Sequence, residues 1–201
     1  MINSHRDYKY YVECDRVALK RKKFYFDKFH LYLFLAKDLI WTFQKTLRLL
    51  EYFKNCKHGF LNYILNFIVK YRYQTLSVKL GYTIPVNVVG PGLSIAHRGT
   101  IVINGNAKIG ANCRLHVCVN IGASGKSNKA PVIGDNVYIG PGAKIFGDII
   151  IGSNTIIGAN AVINKSFETG NIAIGGVPGQ SIGSGNIEDH IIVATKIVGD
   201  N

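Results

Sequence analysis

The stretch PVIGDNVYIGPGAKIFGDIIIGSNTIIGANAVI, residues 131–163, places isoleucine at 133, 139, 145, 151, 157 and 163, every six residues without a miss. Glycine follows directly at 134, 140, 152 and 158, and small or β-branched residues recur at Val137, Ala143, Thr155 and Ala161. A six-residue period is neither helical nor that of a simple alternating strand. It is the signature of a parallel β-helix built from hexapeptides, each a short strand plus a turn. The aliphatic residue points into a triangular prism, the small residue fills the space beside it, and glycine is expected to relieve backbone crowding at the corner. Three hexads make one coil, and coils stack at roughly the 4.8 Å strand spacing.

Working upstream, Ile109-Gly110, Leu115 and Ile121-Gly122 keep the interval, with Cys113 and Val119 at the small positions. Val89, Ile95 and Ile101 are also six apart, but the step to Ile109 is eight, which predicts a bulge or widened corner. The segment GASGKSNKAPV at 122–132 has no inward aliphatic at Ser127 and is expected to leave the wall as an exposed loop. A prism has unpaired ends that need covering. The N-terminal part is expected to cover one and the tail after GGVPG the other.

Upstream of residue 81 the chain changes character. Residues 1–80 hold 16 Lys and Arg against 6 Asp and Glu, and all but one of the 22 glycines lie at 81 or later. We divide the chain into an α-helical domain at 1–80, a hexapeptide-repeat domain at 81–182 that would be catalytic, and a tail at 183–201. DLIWTFQKTLRLLEYFK sets Leu39, Phe43, Leu47 and Leu50 at helical spacing, and Gly59 is expected to break it from a second helix over NYILNFIVKYRYQTLSVKL. The basic run KRKKF at 20–24 reads as a solvated helix face or a contact with phosphate-rich surfaces. The apolar runs at 30–36 and 62–69 are too short to span a bilayer, and no signal-peptide pattern opens the sequence. Cys14, Cys56, Cys113 and Cys118 show no paired spacing and are expected to be free thiols in a cytoplasmic protein. No nucleic-acid motif accompanies the net charge of +12.

The hexads, the loop and the closing GVP resemble the hexapeptide acyltransferases. Within them, PVNVVGPGLSIAHRGTIVINGNAKIGANCRLHVCVNIGASGKSNKAPVIGDNVYIGPGAKIFG at 85–147 is similar to the serine acetyltransferase branch. The resemblance covers residues 81–182. It implies a mainly β fold, a left-handed parallel β-helix of hexapeptide repeats behind an α-helical N-terminal domain. It also implies a homotrimer, with pairing of trimers into hexamers left open, and acetyl-CoA as cosubstrate with no metal. His97 falls where the family carries its catalytic base, a role that suits an imidazole. His116, almost one coil on, is placed to line the same cleft, orient His97 or touch the acceptor. The family's donor site maps onto Gly122, Ala123, Gly140, Ala159 and Asn164, with Lys126 or Lys165 meeting CoA phosphates as point charges. Gln180 stands where many relatives carry a basic residue.

The acceptor positions depart from the branch. Ala96 replaces an Asp directly before the base, Lys129 and Ala130 replace an Arg-His pair, and Tyr82 replaces the Asp that orients the base. Tyr82 is expected to hydrogen-bond His97 instead. Losing an acid and a histidine removes much of the recognition of a zwitterion. This leads us to expect a sugar hydroxyl as acceptor, in a capsule, exopolysaccharide or lipid-linked glycan precursor, with peripheral contact between the basic N-terminal part and an anionic membrane. The alternatives are serine O-acetylation for cysteine biosynthesis and a non-catalytic β-helix scaffold. A γ-type carbonic anhydrase needs three metal-binding histidines, and the prism has only His97 and His116.

Overall fold

The computed structural model describes residues 1–22, 38–57, 59–125 and 127–199. The apolar run at 30–36, the last two residues of the basic run at 20–24 and Lys126 lie outside the described residues. From residue 82 the chain winds into a left-handed parallel β-helix with three faces. The first face stacks Tyr82–Thr83, Ile101–Ile103, Val119–Gly122, Lys144–Phe146 and Val162–Ile163. The second stacks Ser94–Ile95, Arg114–Leu115, Val137–Ile139, Thr155–Ile157 and Ala173–Gly175, closed by the antiparallel strand Gln180–Gly183. The third stacks Lys108–Ile109, Val132–Ile133 and Ile150–Ile151. Each isoleucine of the repeat from 133 to 163 points inward and is at most 2 % exposed. Fully burying such a side chain is worth about 1.5–3 kcal/mol, so the column of aliphatics is the main source of the prism's stability.

The glycines of the Ile-Gly pairs relieve backbone crowding at the corner, as expected. At Gly140 an added Cβ would sit 2.8 Å from the amide nitrogen of Ala159 and the carbonyl oxygen of Ile157. The glycine is required because the next coil's backbone lies against it. Left-handed backbone is supplied by other glycines, such as Gly92 and Gly142, and by a set of asparagines. Asn112, Asn136, Asn154 and Asn171 all have φ between 52° and 56°, a region Asn tolerates because its short polar side chain bonds locally. Their amides form a ladder up one edge, each donating to the next at 2.8–3.0 Å. The segment between Gly122 and Val132 carries no strand and leaves the wall as a loop.

The first end of the prism is covered by three helices, α1 (His5–Ala18), α2 (Leu39–Cys56) and α3 (Phe60–Leu80). Ser4 and Asp38 cap α1 and α2 by accepting from the amides of Asp7 and Trp41, and Gly81 ends α3 in the left-handed conformation. Phe43, Leu47, Leu76 and Leu80 join one core with Tyr82, Ile84 and Leu93. A buried ion cluster locks this junction. Arg48 on α2 pairs with Asp15 of α1 at 2.8 Å and with Glu51 at 3.0 Å, and it also donates to the carbonyl oxygens of Val89 and Gly90. Burial works against the guanidinium, but the two carboxylates outweigh it and hold its pKa above the ordinary arginine value.

The tail does more than the end-capping expected of it. After Gln180–Gly183 covers the far end, the chain runs back along the second face. Ile187 and Ile191 pack with Ile156 beside Tyr138. Thr195, in the short helix α4 (Ala194–Gly199), exchanges hydrogen bonds with Asn112, and Ala194 packs against Cys14 and Ala18 of α1.

Candidate active site

His97 follows Ser94–Ile95 at the corner between the second and first faces. Ile95 is buried in the prism, so the turn places Ala96 half-buried and His97 exposed. The Tyr82 hydroxyl donates to the His97 carbonyl oxygen at 2.8 Å. Tyr82 is itself wedged edge-on against Phe43, and burial pushes its phenol to about 12. Tyr82 therefore fixes the backbone of His97 and not its imidazole, which differs from the orienting bond the sequence suggests.

His116 lies on the same corner one coil further on, its ring centroid 5.9 Å from that of His97. The rings continue as a series. Tyr138 stands 5.0 Å from His116, and His190, brought in by the returning tail, stands 4.9 Å from Tyr138. Nε2 of His116 is buried and has no hydrogen-bond partner among the described residues. Burial, then the charges of Arg114 and His97, pushes the His116 pKa down, so the ring is neutral at pH 7.

The candidate donor residues divide between two corners. Gly140 and Ala159 stack on the histidine corner, where the Gly140 amide donates to the Ile157 oxygen at 2.8 Å. Gly122, Ala123, Asn164 and Lys165 lie at the next corner, beside the exposed loop, with Gly122 in register with Phe146. The Lys165 ammonium sits 5.4 Å over the Phe167 ring. One chain does not bring the two sets together. At the acceptor positions, Lys129 pairs with Asp148 at 2.7 Å and Ala130 is buried. Among the described residues no group of three His, Cys, Asp or Glu side chains is gathered as a metal would require.

A pocket of about 430 Å³ opens beside the histidine corner, between the end of α1, the second face and the tail. Ala96 and Arg114 line it from the prism, Arg21 from the N-terminal part, and Glu188, Asp189 and His190 from the tail. Arg114 is also oriented by a 2.9 Å bond to the Ser94 hydroxyl. Arg114, Tyr138 and the Glu188–His190 trio escaped the sequence reading. The one signal for the last was two adjacent acids in a tail that is otherwise almost uncharged.

The bacterial transferase hexapeptide family model (six repeats) matches residues 130–165. The prism is thus similar to those of the hexapeptide-repeat transferases, and to the serine acetyltransferases among them. It is 40 % identical over 101 residues to the serine acetyltransferase of Mycobacterium tuberculosis, covering 49 % of this chain and 44 % of that one. With the Helicobacter pylori serine acetyltransferase it shares 37 % over 89 residues, 43 % of this chain and 52 % of the other. The chain thus spans about half the length of the curated relatives it matches. The crystal structure of Neisseria gonorrhoeae serine acetyltransferase superposes with a TM-score of 0.66 at 26 % identity, covering 90 % of this chain and 68 % of that one. The serine acetyltransferase of Brucella abortus in complex with coenzyme A superposes with a TM-score of 0.65 at 24 % identity, covering 90 % and 69 %.

These likenesses overturn the expected sugar acceptor, because the relatives are named for serine. The sugar expectation weighed only the aligned positions Ala96 and Ala130. The pocket bordered by Ala96 contains both acids and cations, and they come from other parts of the chain.

Proposed function

We propose that this protein is an acetyl-CoA-dependent serine O-acetyltransferase with His97 as general base. The observation that carries the reading is an exposed imidazole packed against a neutral one on a prism corner, in a chain similar to serine acetyltransferases. In the reaction, His97 takes the proton of the serine hydroxyl as its oxygen attacks the thioester carbonyl. A tetrahedral intermediate collapses, the carbon–sulfur bond breaks, and the imidazolium returns the proton to the departing sulfur. His116 is a positioning residue, since a neutral ring packed beside His97 restricts its imidazole and adds no opposing charge. The test is release of free thiol from acetyl-CoA with L-serine, with O-acetylserine identified by mass spectrometry. His97→Ala should bind CoA and lose about 10²–10⁴ in kcat. Near-wild-type turnover in that variant removes His97 from the role.

The division of Gly140 and Ala159 from Gly122, Ala123, Asn164 and Lys165 supports assembly as a homotrimer, in which one copy's histidine corner meets its neighbour's loop corner and both sets serve one donor molecule. Light scattering should return three times the 22.2 kDa chain mass, or a multiple of that trimer; a monomer refutes it.

A peripheral membrane contact is supported by α3. Phe60, Tyr63, Ile64, Phe67, Ile68 and Tyr71 form a helical stripe, and Phe60, Tyr63, Phe67 and Tyr71 are 82 %, 71 %, 66 % and 68 % exposed. The charges on α3 are Lys70, Arg72 and Lys79, with no acid, which complements an anionic lipid surface better than a second basic chain. Flotation with phosphatidylserine vesicles should carry the full chain at low salt but not a Phe60→Glu/Phe67→Glu variant. A chain that stays unbound, or a variant that changes only the oligomeric state, assigns the stripe to contacts between copies.

A further inference from the structure

We infer that the pocket between the tail and the second face is the amino-acid recognition subsite, with Arg114 holding the acceptor's carboxylate and Glu188 with Asp189 holding its ammonium. This rests on the serine reading above and identifies which residues replace the acid missing at Ala96.

A zwitterion needs one cation and one anion a few ångströms apart, both open to it. Arg114 lines the pocket, and among the described residues its one side-chain bond is to a neutral hydroxyl. Its guanidinium thus keeps most of its fork of donors for a carboxylate. Of the other cations lining the pocket, Arg21 is already paired with Asp38 at 2.6 Å, and the exposed Lys20 offers a point charge in place of a planar fork, which leaves Arg114 as the better carboxylate partner. Glu188 and Asp189 also line the pocket, are exposed, and pair with no cation among the described residues. They occupy a three-residue turn capped by Asn186 and pinned by Ile187 and Ile191 on either side, so their direction is set by packing.

The subsite also adjoins the reacting corner. Ala96 lines the pocket and His97 is the next residue. Arg114 is close enough to His116 to lower its pKa, and so is His97. A carboxylate on Arg114 is therefore held beside the ring that packs against the base. Because the acids arrive on a segment about ninety residues downstream, an acid at position 96 is not needed.

The experiment compares L-serine with 3-hydroxypropionate, which lacks the ammonium, and ethanolamine, which lacks the carboxylate. KM and kcat are measured on the full chain, and L-serine binding is measured separately by calorimetry. Glu188→Gln/Asp189→Asn should raise the serine KM and Kd roughly 10- to 100-fold, the effect of losing a charge-assisted bond. It should change kcat less than threefold and leave 3-hydroxypropionate unaffected. Arg114→Gln should do the same to serine and leave ethanolamine unaffected. Circular dichroism and the Tm confirm that each variant folds. Serine acetylated by the wild type with KM unmoved in both variants overturns this subsite and leaves the enzyme reading intact. Serine bound through the pocket but not acetylated overturns the enzyme reading alone. Serine neither bound nor acetylated overturns both.

Discussion

Replacing Arg48 by Met tests whether the buried ion cluster joins the helices to the prism. The substitution keeps an unbranched apolar stem but deletes bonds to both oxygens of Asp15, to Glu51, and to the carbonyls of Val89 and Gly90. Asp15 and Glu51 each keep one backbone partner, the amides of Leu93 and Asn87, but they face one another with no cation between them. Removing one partner of a buried pair costs about 3–5 kcal/mol, and orphaned carbonyls add to that, about 1–3 kcal/mol each where water cannot reach. We expect a loss of about 4–6 kcal/mol, a large share of the ~5–15 kcal/mol that holds a typical domain. Urea unfolding followed by circular dichroism, at fixed protein concentration, measures it. The deficit should also depend on pH. In the variant the Asp15 carboxyl, whose folded-state pKa burial already raises, loses the arginine that opposed burial and keeps only the Leu93 amide. Such groups favour folding most below their unfolded pKa and lose that contribution as pH rises through the folded pKa. The deficit should therefore be smaller near pH 4.5 than at pH 7. A loss below about 1.5 kcal/mol at pH 7, or one that grows on acidification, refutes the reasoning.

Gly140→Ala drives a Cβ into the next coil's backbone and should cost about 1–3 kcal/mol by overpacking, whereas Gly125→Ala, with nothing within 4 Å, should leave the Tm unchanged. Asn136→Ala loses two ladder bonds and strains a φ of 56°, for about 2–4 kcal/mol in chemical denaturation; Asn136→Gly should recover about 1 kcal/mol of that, and equal losses would deny the strain. His116 resists protonation in the fold, so wild-type stability should fall as pH drops below the unfolded histidine value of about 6.5. His116→Gln should flatten that fall, and identical pH profiles would show that the ring is not desolvated.

The prism was legible in the sequence because a hexapeptide is a local unit. Strand, corner and inward aliphatic repeat at a constant interval, so Ile133 to Ile163 announce their own burial before any coil is stacked. Helices α2 and α3 were legible for a similar reason: Leu39, Phe43, Leu47 and Leu50 mark a face, and Gly59 marks the break between the two. His97 stood out only through resemblance, since a single histidine in a turn has no periodic context. What the linear order could not show is whatever depends on pairing across distance. The asparagine ladder joins residues 17 to 24 apart, and only stacking reveals that Gly140 lies against the backbone of Ile157 and Ala159. The tail's return is set by Ile187 and Ile191 finding Ile156 and by Thr195 finding Asn112. That return brings Glu188 and Asp189 into the pocket that Arg114 and Ala96 also line. Reading position by position, Ala96 looked like the loss of an acid. In three dimensions a carboxylate's reach is decided by packing, and the acid can come from any segment that the core holds against the site.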